Sequence, residues 1–377
     1  MTFQDFSEYK RRPTKQIKVG NVYVGGDAPI SVQTMTNTIT SDINSTVKQI
    51  LECEKYGLDI VRAAINTKED ALAIKEIKKQ IHVPFIADIQ YDYRLAMWAA
   101  ENGADCIRTN PGNMKDKAKL KELVEFLKEL QIPIRIGVNS GSISQEIIDR
   151  YNGVNAKSLV ASAIEEVETL EELDFTNLKV SIKSSDIFMA VAAYENFSKL
   201  KDYPLHLGIT EAGPYNTGVV KSAIGIGILL HEGIGDTIRI SLTDEPYKEV
   251  IAGQNILKSL NLNSKGINLI SCPTCARTNG EMIKMVDKFS DNMPKINGKL
   301  DVAIMGCHVN GPGEARQADI GIALTKDHVN MFKKGKIVRK IEKENAIDEL
   351  IQEIKNMDGE CNDWFYFRAN FEWRGFK

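Results

Sequence analysis

Tryptophan and cysteine are scarce in this chain of 377 residues, at three and six respectively. Neither sign of charge is in excess: 48 Lys and Arg stand against 51 Asp and Glu, for a formal charge of -3. That near-balance excludes a general nucleic-acid-binding domain, which needs a basic surface. Six cysteines spread over such a length do not form a disulfide framework. The longest apolar run, residues 223–230, falls far short of the roughly 20 residues a membrane-spanning helix requires. The opening Met1-Thr2-Phe3-Gln4-Asp5 lacks the charged-then-apolar layout of a signal peptide. There is no Cys-x-x-x-Cys-x-x-Cys, which argues against a radical S-adenosylmethionine enzyme. The expectation is a cytoplasmic protein with neither a membrane nor a nucleic-acid partner.

What is present is a repeating pattern. Short apolar, β-branched runs recur at 30–35, 59–64, 84–89, 106–110, 134–138, 180–183, 205–210 and 237–242. The segments between them have helical periodicity. Residues 42–56 place Ile43, Val47, Ile50 and Leu51 on one face, with Ser41 as N-cap and Gly57 as stop. Residues 120–130 and 156–173 read the same way. Eight strand–helix units predict an α/β fold, a (β/α)8 TIM barrel, over a doubly wound open sheet. A short internal echo supports the repeat: Gly57-Leu58-Asp59-Ile60-Val61-Arg62, Gly103-Ala104-Asp105-Cys106-Ile107-Arg108 and Gly235-Asp236-Thr237-Ile238-Arg239.

The rhythm changes at the polar stretch 261–266. Beyond it the pattern predicts strands at 267–270, 301–305 and 320–324, a hairpin through 333–336, and helices near 280–289 and 344–357. The expected division is a barrel over 1–262, a smaller α+β domain over 263–358, and an aromatic tail over 359–377. That tail holds Trp364, Phe365, Tyr366, Phe367, Phe371, Trp373 and Phe376, read as an extra strand or flap packed on the body, with a partner-docking patch as the alternative.

Side chains two apart on a strand share a face, and the strand ends carry unusual residues. Arg62 ends the second strand. Asp88 with Gln90, and Arg108 with Asn110, follow the third and fourth. Arg135 and Asn139 lie near the fifth, Lys183 after the sixth, Glu211 after the seventh, and Arg239 with Ser241 on the eighth. Barrel active sites lie at this C-terminal mouth. Five cations converging there, with Asp88 and Glu211 as counter-charges, point to a phosphate-bearing ligand that arginine forks and a lysine can hold.

The second region carries the cysteines. Ser271-Cys272-Pro273-Thr274-Cys275 is followed much later by Gly306-Cys307-His308-Val309-Asn310-Gly311-Pro312-Gly313-Glu314. Three thiolates suit a soft metal site, with His308 or Glu314 as the fourth ligand. Spacing alone leaves an iron–sulfur cluster and a zinc ion on level terms. Cys53 and Cys106 fall in a helix and a strand and read as core thiols, and Cys361 as a tail thiol. His82, His206, His231 and His328 read as ordinary polar or packing residues.

Together, these two cysteine motifs closely resemble those of the 4-hydroxy-3-methylbut-2-enyl diphosphate synthase family of the methylerythritol phosphate route to isoprenoids. The resemblance extends through Ser31-Val32-Gln33-Thr34-Met35-Thr36, Ala87-Asp88-Ile89, Arg108-Thr109-Asn110-Pro111-Gly112-Asn113, Arg135-Ile136-Gly137-Val138-Asn139-Ser140-Gly141-Ser142 and Gly208-Ile209-Thr210-Glu211-Ala212-Gly213. It implies a [4Fe-4S] cluster on Cys272, Cys275 and Cys307 with Glu314 as displaceable fourth ligand, and catalytic roles for Glu314 and Asn310. It implies that Arg62, Asp88, Arg108, Asn110, Arg135, Asn139, Lys183, Glu211, Arg239 and Ser241 bind 2-C-methyl-D-erythritol 2,4-cyclodiphosphate. It further implies reductive ring opening by an iron–sulfur oxidoreductase, flavodoxin or ferredoxin as electron donor, and a head-to-tail homodimer. Gln90 departs from the histidine common in the family at that position. The rival reading from the residues is a phosphosugar lyase or aldolase with a structural zinc and Lys183 as Schiff-base former. A third is an iron–sulfur sensor of phosphorylated ligands that never turns them over.

Overall fold

The structure is a computed structural model. It describes residues 9–357 except Tyr91, Lys115, 263–265, Lys295, 297–298 and 308–314. The chain divides into two compact units, Met1–Leu262 and Asn263–Lys377. The aromatic tail, Cys361, His308, Asn310 and Glu314 lie outside the described residues. No described helix is long and apolar enough to cross a membrane.

The first unit opens with an antiparallel hairpin, β1 (Gln16–Val19) and β2 (Val22–Gly25). Eight parallel strands follow: β3 (Ser31–Met35), β4 (Ile60–Ala64), β5 (Phe85–Asp88), β6 (Cys106–Arg108), β7 (Ile134–Asn139), β8 (Leu178–Lys183), β9 (His206–Leu207) and β10 (Thr237–Ile238). Their spatial order is β8-β7-β6-β5-β4-β3-β10-β9, and a parallel bridge between Val180 and Leu205 closes the ring. The eight-strand barrel read from the periodicity is therefore present, with the seventh and eighth strands shorter than expected.

Alternation decides what each face of the barrel wall does. Val32, Val61, Phe85, Ala87, Ile107, Ile134, Ile136, Val180, Ile182, Leu205 and Ile238 belong to one apolar core shared with the surrounding helices. Their neighbours in sequence point inward, and most of those are polar. At the N-terminal end the interior is apolar: Ile17, Val19 and Val24 of the hairpin pack with Ile60, Ile86 and Cys106. The hairpin thus plugs that end. The sequence reading did not anticipate it, because four-residue strands show too little periodicity to register.

The repeated glycine–aspartate element has a structural reason. The turn glycines Gly57, Gly103 and Gly235 have φ of 88°, 97° and 125°, a region that costs a side chain strain. The aspartates then accept backbone N–H groups at the starts of neighbouring strands: Asp59 from Val32 at 2.8 Å, Asp105 from Phe85 at 2.7 Å, and Asp236 from Leu205 at 2.8 Å. These donors would otherwise be buried without partners.

The first barrel helix, Ile43–Glu54, is capped by Asp42, whose carboxylate accepts from Ser45 N at 3.1 Å. Ser41, expected as the cap, instead donates its own N–H to Asp70 Oδ1 at 2.9 Å. Asp70 also closes a capping box with Thr67 on the helix Lys68–Lys78, so one buried carboxylate ties the loop after β3 to the next helix.

The second unit is one sheet with order β11 (Gly266–Ser271), β12 (Lys299–Met305), β13 (Ile320–Leu324), β14 (Val329–Lys333) and β15 (Lys336–Ile341). The first three strands are parallel and the last two pairings antiparallel. Helices Met282–Asp291 and 346–357 cover one face through Phe289, Leu350 and Ile354, packed on Val302, Ile322 and Met331. Ala303, Met305, Ala323 and Phe332 form a smaller apolar cluster with Ala315 and Ala318.

Candidate active site

Arg62, Asp88, Arg108, Arg135, Lys179, Lys183 and Arg239 all lie on the inward-pointing alternation of the barrel strands or one residue beyond it. Asp88 is the hub on one side, 3.1 Å from Arg108 Nη1 and 3.6 Å from Arg62 Nε. Arg62 also donates to Met35 Sδ at 3.0 Å. Arg108 reaches Gly137 O at 3.1 Å. Asn110 pairs reciprocally with the Gly137 backbone, donating to its O at 3.0 Å and accepting from its N at 2.9 Å. Strand pairing between β6 and β7 sets both contacts, since it places Arg108 opposite Arg135.

Arg239 has a different partner. Glu249, on the helix Pro246–Ser259, takes it bidentately at 2.9 and 3.1 Å. Glu249 also accepts from Thr34 Oγ1 at 2.6 Å and Leu242 N at 3.0 Å. Arg239 Nη1 in turn donates to Ser241 Oγ at 2.5 Å. The expected counter-charges were Asp88 and Glu211. Glu211 is exposed, at a φ of 52°, and Glu249 occupies the role instead. A carboxylate on a helix ten residues after its arginine leaves no strand-end signal, so the sequence reading missed it.

The cations are also deeper than a rim. Arg135 is 2% exposed and lies opposite Lys179, two strand residues from the start of β7. Among the described residues its Nε and Nη1 have no partner, and only Nη2 reaches Ser181 Oγ at 3.3 Å. Burial pushes Arg62 down to about 10. Burial and the surrounding cations hold Arg135, Lys183 and His206 well below their ordinary values. Such a crowd of desolvated, like-charged groups is stable only with an anionic ligand or with some of them neutral.

Of the other expected residues, Asn139 is half-buried and accepts from Gly141 N at 3.0 Å in a tight turn, while Gln90 is exposed.

Glu166, on the helix Ala156–Glu171, secures the loop that carries Asn110. Its Oε2 accepts from Gly112 N at 2.7 Å. A Cβ at Gly112 would lie 2.6 Å from Glu166 Oε1, so a side chain there would displace the Glu166 carboxylate from Gly112 N. Burial raises Glu166 from 4.5 to about 6. An acid with a raised folded-state value binds protons the unfolded chain has released, so its contribution to stability falls as pH rises from about 4.5 to 6. Glu166→Gln keeps the acceptor and removes that titration. Denaturant melts should lose a pH-dependent component of about 1–2 kcal/mol across this window.

In the second unit, Ser271 and Met305 end adjacent parallel strands, with Ser271 opposite Ile304. Cys272 and Cys307 therefore emerge at the same end of the sheet. Cys272 Sγ accepts from Gly306 N at 3.1 Å. Asn279 N donates to Gly306 O at 2.8 Å, and Cys275 N donates to Thr278 Oγ1 at 3.1 Å. Gly306 is tightly enclosed, with Thr278 Cγ2 3.0 Å and Cys272 Sγ 3.5 Å from the position of a Cβ. The three cysteines are free thiols. Their donor chemistry fits a soft metal or cluster, and an N–H donated to a sulfur is a contact that tunes one. Among the described residues, no three His, Cys, Asp or Glu side chains are grouped closely enough to hold a metal ion.

Residues 14–254 match the family described as the GcpE TIM-barrel domain. Residues 268–356 match the GcpE protein C-terminal domain. A protein of Ruminiclostridium cellulolyticum named 4-hydroxy-3-methylbut-2-en-1-yl diphosphate synthase (flavodoxin) is 52% identical over 348 residues, covering 92% of this chain and 99% of that one. A protein of the same name from Caldicellulosiruptor saccharolyticus is 51% identical over 344 residues, covering 91% and 99%. One from Clostridium perfringens is 49% identical over 347 residues, covering 92% and 99%. With both domains matched and about half of all residues shared with these full-length relatives, the chain belongs to the GcpE family.

Proposed function

We propose that this chain is a 4-hydroxy-3-methylbut-2-en-1-yl diphosphate synthase. It opens the ring of 2-C-methyl-D-erythritol 2,4-cyclodiphosphate reductively: two electrons and two protons yield the linear 4-hydroxy-3-methylbut-2-enyl diphosphate and one water. The observation that carries this reading is the excess of buried cations inside the barrel. Among the described residues, Asp88 pairs with Arg62 and Arg108, Glu249 pairs with Arg239, and Arg135 and Lys183 form no ion pair. A diphosphate supplies the missing negative charge and acceptors in a dry, preorganised setting.

Residues 1–262 form the substrate barrel and 263–358 the cluster domain in this proposal. Arg62, Arg108, Arg135, Lys183 and Arg239 hold the diphosphate, and Asp88 and Glu249 orient the guanidinium groups. Asn110, Asn139, Ser241 and Glu211 line the remainder. Cys272, Cys275, Cys307 and Glu314 would hold a [4Fe-4S] cluster, and Asn310 and Glu314 take catalytic roles. When bound, that cluster supplies electrons singly and a Lewis-acidic iron. A flavodoxin-type donor is supported by the relatives' names, and ferredoxin is the alternative carrier. Two chains arranged head to tail would let the cluster domain of one close over the barrel of the other and exclude water. The protein works in the cytoplasm. The aldolase reading of Lys183 loses its support with the family assignment.

The test is made on protein purified without oxygen. Iron, acid-labile sulfide and zinc are measured on one sample, followed by turnover of the cyclic diphosphate with reduced flavodoxin. About four iron and four sulfide per chain with turnover is the expected result. One zinc, no sulfide and no turnover after anaerobic reconstitution would overturn the proposal.

A further inference from the structure

Beside the cations assigned to the diphosphate, part of the barrel interior holds polar atoms without partners. Gln33, Lys179 and His206 are fully buried. Among the described residues, both amide atoms of Gln33, Lys179 Nζ and both ring nitrogens of His206 make no hydrogen bond. Arg135 Nε and Nη1 are in the same position. The strands set these side chains along one part of the barrel wall. Lys179 lies opposite Arg135. The bridge between Val180 and Leu205 sets His206 beside Ser181, which shares the inward face with Lys179 two residues before it. His206 lies opposite Thr237, and Thr237 opposite Ser31. Gln33 follows Ser31 on the same face of β3. Ser31 and Thr237 satisfy each other at 3.2 Å, which leaves the others to an outside partner.

The chemistry of that partner follows from what the side chains offer. An ammonium and a guanidinium only donate, while the amide and the neutral imidazole bring one acceptor group each. The group is therefore rich in donors and poor in acceptors, and buried donors left unmade are costly. Water would supply acceptors but no charge. A cyclic diphosphate with both phosphates ionised carries two negative charges. Among the described residues, six cations, Arg62, Arg108, Arg135, Lys179, Lys183 and Arg239, share the inward face, and Asp88 and Glu249 pair with three of them. With all six charged, the bound substrate leaves two positive charges over. Burial, with the charges of Arg135 and Arg62, pushes Lys179 down to about 8 despite the opposing pull of Asp236.

We propose that a small inorganic anion of the halide class, separate from the substrate, binds among Arg135, Lys179, His206 and Gln33. The inference rests on the reading that the diphosphate occupies the neighbouring cations. The bound anion keeps Lys179 charged and holds Arg135 in place beside the diphosphate.

Bromide is the probe. Crystals of the full chain are soaked in bromide, with and without the cyclic diphosphate, and anomalous data are collected at the bromine edge. A peak bounded by Lys179 Nζ, the His206 ring and the Arg135 guanidinium, retained when substrate binds, is the expected result. Absence of the peak overturns the inference. So does its disappearance on adding substrate, because those donors would then belong to the diphosphate. In solution, bromide or chloride should raise Tm above the value in gluconate at equal ionic strength, and Lys179→Met should abolish the difference. An equal halide effect in the variant would also overturn the inference. All these signals are read without electrons or turnover, so a failure of the proposed reaction registers separately, in the assay with reduced flavodoxin.

Discussion

Glu249→Gln is expected to cost about 3 kcal/mol of stability, the scale on which breaking one half of a buried ion pair acts. Glu249 is 2% exposed, and its two oxygens serve the Arg239 fork, the Thr34 hydroxyl and the Leu242 N–H. Glutamine preserves the volume but replaces one acceptor with an NH2 group, so at least one of these donors faces another donor. The guanidinium also loses its counter-charge beside Arg62, whose charged form Arg239 already disfavours. Thermal or urea denaturation measures the stability. In the proposed function Arg239 binds diphosphate, so KM should rise at least about tenfold, the equivalent of 1.4 kcal/mol. A variant with unchanged KM and lowered Tm would confine Glu249 to folding. Unchanged values of both would show that Arg239 does not depend on it.

Cys307→Ser should remove nearly all iron from anaerobically purified protein and reduce turnover by about a thousandfold or more, with the barrel still folded. A serine hydroxyl is a hard, protonated donor where a soft thiolate is required. The informative controls are the two buried barrel cysteines, Cys53 and Cys106. Burial pushes Cys53 up to about 12 and Cys106 up to about 11, so both stay protonated at neutral pH and are poor ligands. Cys53→Ser and Cys106→Ser should therefore keep their iron while losing some stability from packing. Equal iron loss in all three variants would mean that iron retention reports general folding and not ligation.

Much of the fold is legible in sequence because it depends on local periodicity. Val61, Ala63, Phe85 and Ala87 alternate with inward residues, and a period of two fixes that these four face the helices whatever else the strand meets. The glycine–aspartate echo is legible for a similar reason. Its turn and its strand-capping carboxylate recur at three of the junctions where a helix feeds the next strand, before β4, β6 and β10. The cysteine motifs are likewise local, and they carried the resemblance that the matched relatives bear out.

The expectation weakened wherever a residue's role depends on a partner far away in the chain. Arg239 was recognisable as a cation at a strand end, yet its carboxylate arrives from an outer helix packed against β3. The plug at the barrel floor combines a hairpin near residue 20 with strands that begin at Ile60, Phe85 and Cys106. Lys179 and His206 carried no motif at all. Their importance appears once barrel closure places β7, β8, β9 and β10 side by side with no carboxylate among them.

By itself the sequence determined the eight-unit barrel, the second α+β region, the family and the residue types available for chemistry, because alternation, turn residues and motifs are properties of neighbouring positions. Tertiary structure alone decided the depth of the cations, the choice of Glu249 over Glu211 as counter-charge, and the collection of unpartnered donors. Those depend on burial and on distances between strands and helices remote in sequence, and it is burial that turns a common arginine or lysine into a site demanding an anion.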